Sequence, residues 1–209
     1  MTQLPPWDSE EAAARRPTWQ SRSHEVVFEN PWIRIETHDA TAPTGKPCVY
    51  GLVRFINRAI GILPMFDDGT VALVGQSRFA FGTFSWEMPE GGVPYGEDVL
   101  DGAKRELREE TGMTAANWQE ILRFDMSNSV TDEVAVLYLA TGLTPGETQP
   151  DETENLVPAR VPFSQLLKAV IMGQIGDGLT VASVLRVHHM AVTGELPPRL
   201  AAAVLRHAD

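Results

Sequence analysis

The chain has 209 residues, 43% of them hydrophobic and 22% charged, a globular composition with room for one substantial domain and a smaller appendage. Its formal net charge of −11 argues against a sequence-independent grip on nucleic-acid polymers, which needs a basic footprint. Cys48 is the single cysteine, so an internal disulfide and a cysteine metal cluster are both excluded and a reducing compartment fits.

The opening "MTQLPPWDSEEAAARRPTW" is acidic and proline-bearing, and residues 1–20 read as a disordered tail rather than a signal peptide or anchor. Nowhere does an apolar run approach the ~20 residues that span a bilayer, so no membrane partner and a cytoplasmic location are expected. From Ser23 the texture changes to short β-type runs, "HEVVFEN", "WIRIETHDAT" and "CVYGLVRFI", the last two separated by the turn cluster "APTGKP". These predict a small antiparallel β-meander over residues 21–57. The runs "AIGILPMF" and "VALVGQSRF" flank "DDGT", a hairpin signal. Next come a strand-like "FSWEMP", a glycine-rich loop at Gly91 and Gly92, a helix over 98–111, and strands "ILRFDM" and "EVAVLYLATGL". The loop "TPGETQPDETEN" leads to a strand "LVPARVP" and a helix "FSQLLKAVIMGQ". A further helix is entered through Asp177, Gly178 and Thr180, and a final short one opens at a proline pair suited to a first turn. Residues 58–209 thus read as a mixed α/β (α+β) body.

The helix over 98–111 carries the chemistry. At ~100° per residue, Val99, Ala103 and Leu107 form one apolar stripe with Leu100 beside it, while Asp101, Lys104 and Arg108 face the opposite way. Glu106, Glu109 and Glu110 gather in an arc beside the stripe, at the i, i+3, i+4 spacing where side chains meet and like charges repel. Two readings stand on the helix alone: a solvated acidic face, or a cradle for a divalent cation, for which hard oxygen ligands are suited. Arg105, four residues before Glu109, has the weaker order for helix stability, which makes orientation of a ligand the better account of it. The glycines at 91, 92 and 96 beside the helix N-terminus favour the second reading, since such a loop lets backbone approach a phosphate.

These residues match the Nudix box: glycine, five residues, glutamate, seven residues, then R-E-U-x-E-E-x-G-U with U bulky and apolar. Gly91 opens the pattern, Glu97 follows, and Arg105 to Met113 complete it with no fixed position departing. The chain therefore resembles the Nudix hydrolases. The resemblance implies an α/β/α sandwich with a mixed central sheet and hydrolysis of a nucleoside diphosphate linked to another group. It also implies Glu106, Glu109 and Glu110 as ligands of two or more Mg²⁺ ions, with Mn²⁺ as an alternative, Arg105 as the orienting residue and Glu97 as structural.

The flanks resemble one branch, the ADP-ribose pyrophosphatases and nucleotide-sugar hydrolases: "GK" in the meander, Arg78 at a strand end, and "WEMPEGG" leading into the box. In that branch Arg78 would hold a phosphate and the backbone carbonyl of Glu90 would be a further metal ligand. The catalytic acid or base would come from an E-x-E loop, here Glu152 or Glu154, with Glu154 the first choice; an ordinary acidic surface loop is the alternative. Tyr50 and Trp32 either stack on a base or pack locally, Glu133 either fits the branch or lines a strand edge, and His188 and His189 are surface or packing residues. The branch implies a homodimer and ADP-ribose as substrate. GDP-mannose, another nucleotide sugar or a dinucleoside polyphosphate are the alternatives, as is a non-catalytic nucleotide-sugar sensor.

Overall fold

A computed structural model describes residues 4–148 and 155–206. Its chain contacts divide into two units, residues up to Ile56 together with Ser127–Asp132, and the remainder from Asn57.

The first unit opens with a short helix, α1 (Glu10–Ala14), capped by the Ser9 side chain on the Ala12 N–H. It lies in the stretch whose composition reads as a tail. The strands β1 (Gln20–Glu29), β2 (Ile33–Thr41) and β3 (Pro47–Phe55) pair in that order, all antiparallel. Gly45, at φ 82°, closes the β2–β3 turn, a conformation that glycine adopts without steric cost. Every residue of β1 is exposed, including Val26, Val27 and Phe28. One face nevertheless buries Glu36, which accepts from His38 at 3.0 Å and from Arg54 at 3.2 Å. Burial pushes the Glu36 carboxyl upward, but the His38 and Arg54 hydrogen bonds outweigh it and hold it below its ordinary range. Arg54 reaches on to Asp132 at 3.1 Å, which ties the 127–132 segment to this sheet.

In the second unit come β4 (Asn57–Pro64), β5 (Thr70–Arg78), β6 (Thr83–Glu87), β7 (Glu90–Pro94), α2 (Val99–Thr111), β8 (Thr114–Asp125), β9 (Val134–Thr144), β10 (Val157–Pro162), α3 (Phe163–Ile171), α4 (Gly178–Thr193) and α5 (Pro198–Val204). A four-stranded sheet runs β7-β4-β9-β8 and a three-stranded one β10-β5-β6. The β4–β9 pair is parallel and its neighbours are antiparallel, so the larger sheet is mixed. Strand alternation divides the core between two faces. Ile60, Ile62, Val136 and Tyr138 pack under Ala103 and Leu107 of α2, whereas Leu63, Leu137 and Leu139 pack with Phe163 of α3 and Val184, Val187 and Met190 of α4. Helices on both faces of a mixed sheet make an α/β/α sandwich. No helix among the described residues is long and apolar enough to cross a membrane.

Three local expectations change. The "DDGT" turn forms, with Gly69 at φ 85°, but it is closed by an isolated Met65–Val71 bridge, Met65 lying just past β4, and β4 and β5 join different sheets. β8 begins at Thr114, well before "ILRFDM", because pairing with β9 supplies the order that its polar first half does not advertise. Gly91 and Gly92 are not in a loop: they lie on β7, paired with Ile60 and Ala59 of β4.

Two helices end on a left-handed glycine, Gly112 after α2 and Gly194 after α4. A Cβ on Gly112 would sit 2.5 Å from the Gly146 carbonyl oxygen, whereas one on Gly194 would meet nothing within 4 Å. Gly112→Ala should therefore lower unfolding stability by about 2 kcal/mol or more, and Gly194→Ala by about 1 kcal/mol. Urea unfolding of the two variants checks the order.

Candidate active site

The acidic arc starts from a well-terminated helix. Asp98 caps α2 by accepting from the Leu100 and Asp101 N–H groups at 3.0 and 3.1 Å, and Gly112 ends it. Gly102 lets α2 lie against β7, since a Cβ there would come 2.3 Å from Val93 Cγ2. With Ala103 and Leu107 buried, the rotation of the helix is set. Glu106, Glu109 and Glu110 are then carried to the β7 side at graded depths, 13% exposed for the Glu106 side chain, 32% for Glu109 and 5% for Glu110 overall.

Arg105 is the hub of this arc. Its Nη1 donates to Glu106 at 2.7 Å and to Glu109 at 3.0 Å, and its Nη2 to the Gly92 carbonyl at 3.3 Å. Glu97, at 3.8 Å from Arg105 Nε, lies beyond hydrogen-bonding distance. Glu110 accepts from the Glu90 backbone N–H at 3.3 Å. The glycine pair owes its presence to this packing. A Cβ on Gly91 would fall 2.3 Å from the Glu106 carboxyl carbon, and one on Gly92 2.8 Å from Asn57 Nδ2. Gly91 therefore clears the space in which the Glu106 carboxylate lies.

On the other side of β7 is a second charged group of residues. Arg78, at the end of β5, donates from Nε to both Glu87 oxygens at 3.0 Å and from Nη2 to Glu87 Oε2 at 2.5 Å, and its Nη2 also donates to Glu90 Oε1. Asp177 caps α4 through the Thr180 N–H at 2.6 Å. Carboxylate oxygens of Glu87, Glu90 and Asp177 lie within 4.8 Å of one another. Glu90 Oε2 is buried with no hydrogen-bond partner among the described residues. Burial, followed by the Asp177 charge, drives the Glu90 carboxyl well above its ordinary range, and Arg78 only partly opposes this. Excess negative charge beside an orphaned buried oxygen suits a divalent cation with oxygen ligands.

The structure thus brings Arg105, Glu106, Glu109, Glu110, Gly91, Gly92, Glu90 and Arg78 around one strand. Tyr50 and Trp32 belong to the first unit. Tyr50 donates its hydroxyl to the Ser129 carbonyl and meets Trp19 edge-on, ring centroids 4.9 Å apart, so its ring is already engaged in packing, while Trp32 is exposed. Glu133 is half-buried just before β9, its carbonyl accepting from the Met126 N–H. Glu152 and Glu154 lie outside the described residues, and the chain that leads toward them passes Gly112 at Gly146 and Glu147. Sequence reading missed Asp177 and Glu87 as members of the cluster. Glu87 had a signal in "WEMPEGG", whereas Asp177 reads only as a helix cap.

The model of the NUDIX domain matches residues 56–177. The ADP-ribose pyrophosphatase of Mycobacterium tuberculosis is 35% identical over 144 residues, 68% of this chain and 69% of that protein. The ADP-ribose pyrophosphatase of Bacillus subtilis is 30% identical over 162 residues, 77% of this chain and 87% of its own. A crystal structure of an ADP compounds hydrolase superposes with a TM-score of 0.76 at 22% identity, covering 86% of this chain and 97% of that one.

The raised pKa of Glu90 has a measurable consequence. The folded state keeps the Glu90 proton to a higher pH than the unfolded chain, whose value is near 4.5. Between the two the native state binds more protons, so the Glu90 contribution to stability is present below the unfolded value and is lost as pH rises through the folded one. Without divalent cations, Glu90→Gln should match the wild type in acid and become progressively more stable than it as pH rises. Urea unfolding of both proteins across a pH series in EDTA reads this difference.

Proposed function

This chain belongs to the NUDIX family and is a Nudix hydrolase, and on that premise we propose that it cleaves the diphosphate bond of ADP-ribose, giving AMP and ribose 5-phosphate. The observation that carries the proposal is the arc of Glu106, Glu109 and Glu110, oriented by Arg105 beside the bare backbone of Gly91. The relatives named ADP-ribose pyrophosphatase support the choice of substrate.

In this reading the three box glutamates and the Glu90 carbonyl would hold Mg²⁺ or Mn²⁺, two or more ions in all. When bound, such ions neutralise diphosphate charge and make water a nucleophile at neutral pH. Arg105 keeps the Glu106 and Glu109 oxygens together in the ligating orientation. Arg78 is held by Glu87 and Glu90 through Nε and Nη2, which among the described residues leaves Nη1 of its fork to offer a phosphate oxygen. Glu154, or Glu152, takes the proton from the attacking water or positions it. Glu133 and the exposed Trp32 ring are kept as contacts to the rest of the substrate, whereas Tyr50 is given its other role, packing against Trp19.

The active form is proposed to be a cytoplasmic homodimer. The support is physical: β1 is exposed along its whole length, Val26, Val27, Phe28 and Trp32 are exposed on the same small unit, and a three-stranded sheet is marginal unless packed against something. Light scattering at micromolar concentration should give twice the chain mass; a fully active monomer would contradict the dimer.

Glu109→Gln or Glu110→Gln should lower Mg²⁺-dependent turnover by orders of magnitude, with thermal stability in EDTA unchanged or raised because repulsion is relieved. A fully active Glu110→Gln enzyme would remove the assignment. The substrate is tested by kcat/KM across ADP-ribose, GDP-mannose, UDP-glucose, a diadenosine polyphosphate and dGTP, the ratio that measures discrimination. ADP-ribose should rank first. GDP-mannose in first place would replace the substrate and keep the catalytic site, whereas dGTP or the polyphosphate in first place would also overturn the branch.

A further inference from the structure

A second concave surface lies along the side of α2 that carries Asp101, Lys104 and Arg108, and it meets the glutamate arc at Arg105. It encloses about 470 Å³ between that helix and the first half of β8, within the range of roughly 300–1,000 Å³ common for small-molecule sites. One wall is cationic. Lys104 and Arg108 line it one helical turn apart, and Arg105 forms its inner edge. Arg105 is committed to Glu106 and Glu109. Among the described residues Lys104 is held only by Asp101, at 2.9 Å with both side chains largely exposed, a class of surface pair that contributes little. Arg108 makes no ion pair among the described residues, although the chain as a whole carries a net charge of −11. An uncompensated guanidinium beside an exchangeable ammonium is a donor set for a phosphate group.

The other wall is aromatic. Trp118 of β8 lines the groove and is braced there. Its Nε1–H donates to the Ala115 carbonyl at 3.2 Å, and its ring meets Tyr138 edge-on at 6.1 Å. A pinned indole is a low-entropy stacking surface for a planar base. Thr114 offers a hydroxyl on the same side, and Glu97 and Asp101 place carboxylate acceptors where ribose hydroxyls could donate.

We propose that this groove is a separate binding site for a nucleoside monophosphate, with the phosphate on Arg108 and Lys104 and the base on Trp118. The choice of AMP as its occupant rests on the reaction proposed above, which releases AMP. Binding there would let the product act on the enzyme from the Lys104 and Arg108 side of the same helix that carries Glu106, Glu109 and Glu110.

The test is calorimetric titration of the full chain in EDTA, where no turnover contributes, with AMP, GMP, adenosine, ribose 5-phosphate and inorganic phosphate as probes. AMP should bind saturably, and adenosine and inorganic phosphate about tenfold more weakly or worse, since each lacks one of the two recognised groups. Arg108→Glu and Trp118→Leu should each weaken AMP by about tenfold or more, while Glu110→Gln leaves it unchanged. Arg108 is exposed, so its variant keeps the test intact if Trp118→Leu does not fold. Three results would overturn the site: no AMP binding at millimolar concentration, AMP binding lost in Glu110→Gln but kept in Arg108→Glu, or phosphate binding as tightly as AMP. Because these titrations need no catalysis, failure of the ADP-ribose assignment leaves them readable. GMP binding in place of AMP would keep the groove as a nucleoside monophosphate site and change only its base.

Discussion

Three carboxylates on adjacent turns of one helix repel one another, and the architecture of the second unit is arranged around keeping them together. Glu106, Glu109 and Glu110 are not dispersed into solvent. Glu110 is buried to 5% exposure, and Arg105 clamps the other two. A pair of exposed charges would contribute little to stability, and burying an acidic group costs free energy unless it is paired. The arrangement makes physical sense when the acidic groups share a cation, because a positive charge between them converts mutual repulsion into common attraction. The buried Glu90 oxygen on neighbouring β7, without a hydrogen-bond partner among the described residues, points the same way.

The rest of the fold follows from that requirement. Gly102 and the buried Ala103 and Leu107 set the distance and rotation of α2 on the sheet. Gly91 removes the one methyl group that would occupy the place of the Glu106 carboxylate. The parallel β4–β9 pair forms the centre of the mixed sheet beneath the helix. On its far side the N-terminus of α4 delivers Asp177 to Glu87 and Glu90. Arg78 is thereby embedded among acidic groups, which fixes the direction of its guanidinium at the cost of part of its donor capacity.

Much of this was legible in the sequence where information is local. The period of Val99, Ala103 and Leu107 placed α2 and its acidic edge, and the spacing from Gly91 to Met113 identified the box. Legibility ended where a residue answers to a distant partner. Gly91 and Gly92 looked like loop residues because glycine usually marks flexibility, yet here they are strand residues whose bareness is demanded by Glu106 and Asn57. The Asp177 position reads as an ordinary helix cap, and only the tertiary fold brings it to Glu87 and Glu90. β8 draws its length from pairing with β9, which no β-propensity in "TAANWQE" announces. Tyr50, a candidate for base stacking, is engaged by Trp19 and Ser129, partners that the local sequence does not disclose.

The central claim is that the α2 glutamates form a cation site. Titration of the protein with Mn²⁺, followed by the paramagnetic resonance of the free ion, measures that claim without reference to any substrate. Saturable binding of two or more ions per chain in the wild type, with at least one lost in Glu106→Gln, is the predicted result. Equal Mn²⁺ binding by the wild type and by a chain with Glu106, Glu109 and Glu110 all changed to Gln would contradict it.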